Sequence, residues 1–291
     1  MELLDILKIH GLDPKNIAVV MHSPKKPEHR RMLPAIVNEN EPVFDAYQSV
    51  HSTSKARTIK KRKFQLSFVN IGNNRQLFVG LYEVLGWEEQ PKAFFDKRPA
   101  YREIARLEGF YYSDLCKDFE SNTKNVFNLR KKDALKEYRG RLVIKQPKAR
   151  NFIRLAENMK TEVLAIYESN QLSPTPPDWH SFILGEAELK ILPKAWASRL
   201  REWRGVYLIV DESDGARYVG SAYGEENLLG RWQAHVAGEQ GVTKHLSDRN
   251  PVNFRFSILQ LLAPDAEPSD VINIEHNWMN RLHTREFGLN T

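Results

Sequence analysis

Two tyrosines, Tyr207 and Tyr218, stand on either side of an Asp-Gly turn signal, each within two residues of a glycine, Gly205 and Gly220. Arg231 and His235 follow, four positions apart, a spacing that puts both on one face of a helix. Glu275 comes later, among Val271, Ile272, Ile274, Trp278 and Met279. A carboxylate in such company needs a partner or a cation. These residue types suit hydrolysis of a phosphodiester. An arginine donates two hydrogen bonds to a phosphate and offsets charge that develops on it. A single carboxylate, helped by substrate oxygens, suits a hard and strongly hydrated cation such as Mg2+ or Mn2+. A tyrosine acts as general base only if its phenol is acidified, because its reference pKa is about 10. A nearby cation or a neighbouring His235 could do that.

Short elements must position these side chains. Residues 205–210 are apolar and β-rich, 211–215 form a turn cluster, and 216–220 make a second strand. A helix is expected over 227–236, a third strand over 254–262, and a helix with Ser269 as N-cap running to about residue 282. The fold class is α+β, with a three-stranded antiparallel sheet flanked by helices over residues 204–291.

The motifs Gly205-Val206-Tyr207 and Tyr218-Val219-Gly220 are similar to the paired motifs that name the GIY-YIG endonuclease family. Arg231, His235, Glu275 and Asn290 then follow in the family's order within ninety residues. The resemblance implies Tyr207 as general base, with His235 hydrogen-bonded nearby and Tyr218 positioning water or phosphate. It also implies Arg231 on the scissile phosphate, Glu275 as metal ligand and Asn290 fixing the local geometry. One departure stands out: Ser221 follows the second motif, where many members carry lysine. That position supplies no phosphate-binding charge here. His276 and His283 read as surface or packing residues, and His245 is left unassigned.

The rest of the chain is a separate, basic region. Residues 1–150 hold 29 Lys/Arg against 18 Asp/Glu, whereas residues 151–291 hold 14 against 19. Such asymmetry points to a polyanion-binding first half. Lys55, Arg57, Lys60, Lys61, Arg62 and Lys63 crowd into nine positions, read as a solvated basic loop able to reach phosphates. An aromatic strand follows over 64–71, then a turn and a second strand over 76–85, with another strand at 141–145. A mixed α/β, barrel-like domain is expected. The stretch Phe78-Val79-Gly80-Leu81-Tyr82-Glu83-Val84-Leu85-Gly86 faintly resembles PUA and EVE barrels, which bind RNA or flipped modified bases in DNA, and most of Phe68, Phe78, Tyr82 and Trp87 are expected in the barrel core rather than in a base cage. Residues 109–139 read as loop-rich and 151–168 as a helix.

The expected domains are therefore a DNA-recognition domain at 1–168, a linker and connecting helix at 169–203, and a nuclease domain at 204–291. The single cysteine, Cys116, excludes an internal disulfide and reads as a buried thiol. No apolar run is long enough for a membrane span, and the first residues lack a signal-peptide pattern, so the cytoplasm is expected. The expected activity is Mg2+-dependent cleavage of double-stranded DNA, in a restriction or defence role, with modified bases among the candidate targets. A symmetric double-strand cut would need a homodimer. The alternatives are a nucleic-acid-binding protein with a degenerate nuclease domain, and a structure-specific repair or RNA nuclease.

Overall fold

Apolar alternation in the middle of the basic half creates a strand pair, and the first sheet grows around it. The computed structural model describes residues 1–24, 27–106, 123–148, 152–173, 175–238, 246 and 248–290. Cys116 and His245 lie outside the described residues. The chain packs as two units, Met1–Pro174 and Thr175–Thr291.

In the first unit the order is α1 (Leu3–Ile9), β1 (Ile17–His22), α2 (Pro27–Glu39), α3 (Glu41–Ser49), β2 (Val50–His51), α4 (Thr53–Ile59), β3 (Phe64–Asn70) and β4 (Arg75–Gln90). Then come α5 (Lys92–Asp96), α6 (Pro99–Arg106), β5 (Lys124–Lys132), β6 (Leu142–Lys145), β7 (Ile153–Leu155) and β8 (Val163–Ile166). The strands form one mixed, half-barrel-like sheet, ordered β2-β5-β4-β3-β1-β7, with β6 and β8 branching from β4. β1 and β3 are parallel and the remaining pairs antiparallel. β4 is long enough to serve two partners on one side, β6 at its start and β5 along its second half. Register shifts at Ser67/Phe68 and Val84/Gly86 bend it between them.

The sheet is buried on both faces. Leu66 and Phe68 pack with Ile17, Val19, Met21, Phe78 and Leu81 in one core. The opposite face puts Ala18 and Val20 against Ala56, Ile59 and Phe127. That face also carries polar groups that satisfy one another. Gln65 and Ser67 donate to Gln48 Oε1 at 3.3 and 2.9 Å.

Four expectations fail, in whole or in part, in this unit. Residues 151–168 contain two short strands, β7 and β8, and a 3-10 turn at Ala156–Asn158 instead of a helix. β8 alternates between half-buried and exposed positions and pairs with β6, so its two-residue period outweighs its helix-forming residues. The stretch 109–139, read as loop-rich, supplies β5 between β2 and β4; its residues 109–122 lie outside the described residues. Trp87 is not core: it is 43% exposed, with the Lys60 ammonium 3.2 Å above its ring. Phe68, Phe78 and Tyr82 are buried as expected. The basic run is a loop only in part: Lys55 and Arg57 sit on α4, while Lys60–Lys63 form the turn into β3.

His22 and His51 are buried near each other under α3 and α4. Burial, first, and then the neighbouring charges lower their pKa values from 6.5 to about 3 and about 4. Both folded values are depressed, so the stability these groups lend is complete above pH 6.5. It is lost as pH falls through that window, by about 1.4 kcal/mol per pH unit for each proton taken up on unfolding. The urea midpoint of the full chain is expected to drop between pH 7 and pH 5. His51→Gln should flatten that drop, and an unchanged slope would contradict it.

In the second unit the order is β9 (Ile183–Gly185), α7 (Glu186–Lys190), α8 (Lys194–Glu202), β10 (Arg204–Asp211), β11 (Arg217–Ala222), α9 (Asn227–Ala237), β12 (Phe254–Leu262) and α10 (Pro268–Leu282). The sheet is antiparallel, ordered β11-β10-β12-β9. It has four strands where three were expected, because β9, from the stretch read as linker, pairs with β12. Helices cover both faces. Val206, Leu208 and Val219 meet Ile274, Trp278, Met279 and Leu282 of α10 on one side. On the other, Trp232 of α9 packs against Phe256 of β12 and approaches Tyr207. The hairpin turn is held by Asp211, which accepts from Ser213 and pairs with Arg249, and by Gly215 at φ +78°. Glu267, not Ser269, is the N-cap of α10, and Pro268 opens the helix, where its missing N–H costs nothing.

Candidate active site

β10 and β11 pair so that Tyr207 stands opposite Gly220, and Ile209 opposite Tyr218. With side chains alternating, both phenols share the face covered by α9. Tyr207 is fully buried and Tyr218 nearly so. α9 brings His235 between them, with ring centroids 5.7 and 5.5 Å away. Tyr207 Oη lies 2.7 Å from His235 Nε2. One turn earlier on the same helix, Arg231 lies against the Tyr207 phenol and within reach of Tyr218 and Glu275.

The glycines have steric reasons. A Cβ at Gly220 would sit 2.5 Å from Tyr207 Oη and 2.8 Å from Tyr218 Cε1. The space it leaves is therefore filled by the phenol itself rather than kept for phosphate. A Cβ at Gly205 would sit 2.2 Å from Gln260 O, where β10 bulges against β12 between Val206 and Tyr207. Gly220→Ala is expected to push the Tyr207 ring off its contact with His235. It should cost about 1–3 kcal/mol of stability and most of any activity that needs that pair. Unfolding midpoints and cleavage rates of the variant check this, and a neutral substitution would contradict the packing.

Glu275 arrives from the other face. α10 packs on the side of the sheet that carries Val219 and Ser221, and Ser221 Oγ donates to Glu275 Oε2 at 2.5 Å. The set thus wraps around β11, the edge strand, with phenols, imidazole and guanidinium on one side and the carboxylate on the other. Asn290 closes the edge. Its Oδ1 accepts from Val219 N at 2.9 Å and its Nδ2 donates to Val219 O at 2.8 Å. One buried side chain thereby satisfies both outward backbone groups of an edge residue that would otherwise be open. Leu289 N adds a bond to Arg217 O.

Electrostatics follow from burial. The Tyr207 phenol is pushed above its ordinary value by burial and by Tyr218, and Arg231 only partly offsets this. Tyr218 is raised as well, by burial and by Glu275. The expectation that neighbours acidify the tyrosine therefore fails in this state, because desolvation of a buried phenolate outweighs one guanidinium. His235 falls to about 3 through burial and Arg231, so its ring is neutral. Glu275 is raised by burial, against Ser221, His276, Arg231 and Arg285. Arg231 keeps its charge despite burial because the phenols and Glu275 favour it.

A divalent cation has one carboxylate to hold it here. Among the described residues no cluster of three or more His, Cys, Asp or Glu is placed to bind a metal. That donor set does not cage a softer metal such as zinc or copper. It does fit a hard cation that keeps most of its waters and shares one carboxylate with substrate oxygens. Glu275 is half-buried with its charge disfavoured, which a bound cation would relieve.

The basic cluster of the first unit is divided. Arg62 turns inward, paired with Glu157 at 2.7 Å and bonded to Lys15 O. Lys60 covers Trp87, and Lys55 is close enough to His22 and His51 to depress both. Arg57, Lys61 and Lys63 are exposed. Other basic residues of this unit are matched locally, as Arg130 and Lys132 with Glu83, and Lys131 with Glu41. Sequence reasoning did not foresee the Ser221–Glu275 bond; only the serine's place after the second motif marked it.

No family model matches the chain, and no curated protein matches it. Two solved structures are similar over 30% of its length. One is the catalytic domain of the homing endonuclease I-TevI, 26% identical, with 96% of that chain covered and a TM-score of 0.25. The other is a mutant of the catalytic domain of the intron endonuclease I-TevI, 23% identical, with 92% covered and a TM-score of 0.25. Among the described residues, no helix is long and apolar enough to cross a membrane.

Proposed function

We propose that the second unit is a GIY-YIG phosphodiesterase domain, and that the chain is a divalent-metal-dependent DNA endonuclease whose first unit recognises the target. The carrying observation is the buried Tyr207–His235 contact at 2.7 Å, backed by Arg231 and set across one edge strand from Glu275. Structural packing alone rarely places a neutral histidine, two phenols, a guanidinium and a carboxylate around six residues of strand.

The residues divide the work as follows. Arg231 neutralises charge on the scissile phosphate. Tyr207 takes a proton from the attacking water at Oη while giving its own to His235 Nε2. This relay replaces a free phenolate with an imidazolium; burial disfavours both, and the negative charge of the bound phosphate is what favours the cation. Water attacks phosphorus, the P–O3′ bond breaks, and the leaving 3′-oxygen takes a proton from solvent. Tyr218 orients water or phosphate, and Asn290 holds β11 in place. Glu275 would hold Mg2+ or Mn2+, which when bound supplies Lewis-acid stabilisation of the phosphoryl oxygens. Arg57, Lys61 and Lys63 are the cations of the basic run left to meet DNA phosphates.

The direct test is incubation of the purified chain with unmodified, methylated and hydroxymethylated plasmid, with Mg2+, Mn2+ or chelator, followed by mapping of the ends. Metal-dependent nicks or breaks are expected on at least one substrate. Intact DNA under every condition, with tight salt-sensitive binding, would instead favour a binding protein with a degenerate nuclease domain.

A further inference from the structure

Sequence and fold leave one element of the second unit unexplained, the turn between α10 and Asn290. Its backbone is tightly fixed. His283 ends the helix at φ +51°, and Thr284 N returns to Met279 O at 3.1 Å. Gly288 packs so closely that a Cβ there would lie 2.5 Å from Arg217 O. Leu289 and Asn290 then bond to the outer edge of β11, beside Ser221 and Glu275. Three side chains, Arg285, Glu286 and Phe287, extend from this anchored turn and all are exposed.

Two of them are unspent. Arg285 has no ion pair or side-chain hydrogen bond among the described residues, and its charge acts on Glu275. Arg281, by contrast, lies over the Trp278 ring at 4.4 Å, and Glu286 faces back to His283 at 3.9 Å. Phe287 is 86% exposed, more than any other large apolar side chain of the described residues. Single exposed apolar residues are ordinary on protein surfaces. This one is fixed on a rigid turn, beside a free cation, at the border of the candidate active site.

DNA brings more charge to that border than the site can meet from within. Arg231 is committed to the scissile phosphate in the reading above, and the Ser221 hydroxyl is used on Glu275. The phosphates flanking the scissile one need cations from outside the pocket. A ring next to such a cation can pack on the neighbouring nucleotide, as aromatic side chains do in nucleic-acid grooves.

We propose that the turn 284–290 is a DNA-gripping element, in which Arg285 binds a phosphate flanking the scissile one and Phe287 packs against the adjoining nucleotide. This rests on the endonuclease reading above.

The test uses the full chain carrying Arg285→Gln or Phe287→Ala, with cleavage followed over a range of DNA concentrations and salt. Binding to the same duplex is measured in a Glu275→Gln background. Arg285→Gln is expected to raise KM and Kd, to lower the slope of log affinity against log salt by about one, and to leave kcat at saturating DNA within about twofold. Phe287→Ala is expected to weaken binding about fivefold or more. Thermal midpoints should move little, because both side chains are exposed and Phe287 meets only the His283 ring, with centroids 6.4 Å apart. An enzyme that cuts DNA while both variants keep the wild-type KM, Kd and salt slope overturns the grip and leaves the nuclease reading standing. A protein that cuts nothing overturns the nuclease reading and this one with it.

Discussion

Glu275→Gln is expected to lose DNA cleavage by about a thousandfold or more, the scale of removing a preorganised charge from a phosphoryl-transfer site, without loss of fold. The amide is isosteric and keeps an oxygen that can accept from Ser221 Oγ, so the contact at 2.5 Å has a replacement. What disappears is the charge. The folded protein raises the Glu275 pKa, with burial as the leading cause. A raised carboxyl lends stability below its unfolded value and withdraws it as pH climbs through the folded one. At neutral pH the glutamine variant should therefore unfold at the same temperature as wild type or higher. Lost cleavage with an unlowered melting midpoint is the expected pair of results. A variant cutting within tenfold of wild type would remove Glu275 from the chemistry.

Tyr207→Phe carries the second large effect. It removes one oxygen from a fully buried site and leaves His235 Nε2 without its partner, beside an Nδ1 that already has none among the described residues. A buried polar atom stripped of its bond costs about 1–3 kcal/mol, and loss of a general base slows reaction by about 100- to 10,000-fold. Combining it with His235→Leu should restore part of the stability and none of the activity. The pH profile distinguishes two routes. If Tyr207 passes its proton to His235, the rate is flat from pH 7 to 9, because His235 at about 3 and the raised phenol both stay neutral there. A rate that climbs tenfold per unit across that range would mean that free phenolate is the base and that the relay is wrong.

The hairpin at 205–220, the helix carrying Arg231 and His235, and the strand at 254–262 were legible in the sequence to within a residue or two. The β3–β4 pair was legible too, although β4 runs to Gln90, five residues past its expected end. In each, the signal is local: apolar residues at period two or near four, closed by Gly, Pro or Asp. Local periodicity also implied that Arg231 and His235 face the same way. It could not show that burial raises Tyr207, because desolvation depends on Trp232, packed against it from a different element.

What failed depended on partners distant in the chain. β8 takes its partner from β6, about twenty residues earlier, and β9 from β12, about seventy residues later, so neither announces itself in its own stretch. Arg62 reads as one more cation in a basic run until Glu157 is seen beside it. Gly220 reads as a strand glycine leaving room for phosphate until the Tyr207 phenol is found where its side chain would be. The sequence by itself determined which residue types are available and which elements carry them. The tertiary structure decided which phenol meets which imidazole and which cations remain free for DNA, because pairing register and burial are set by contacts between segments far apart in the chain.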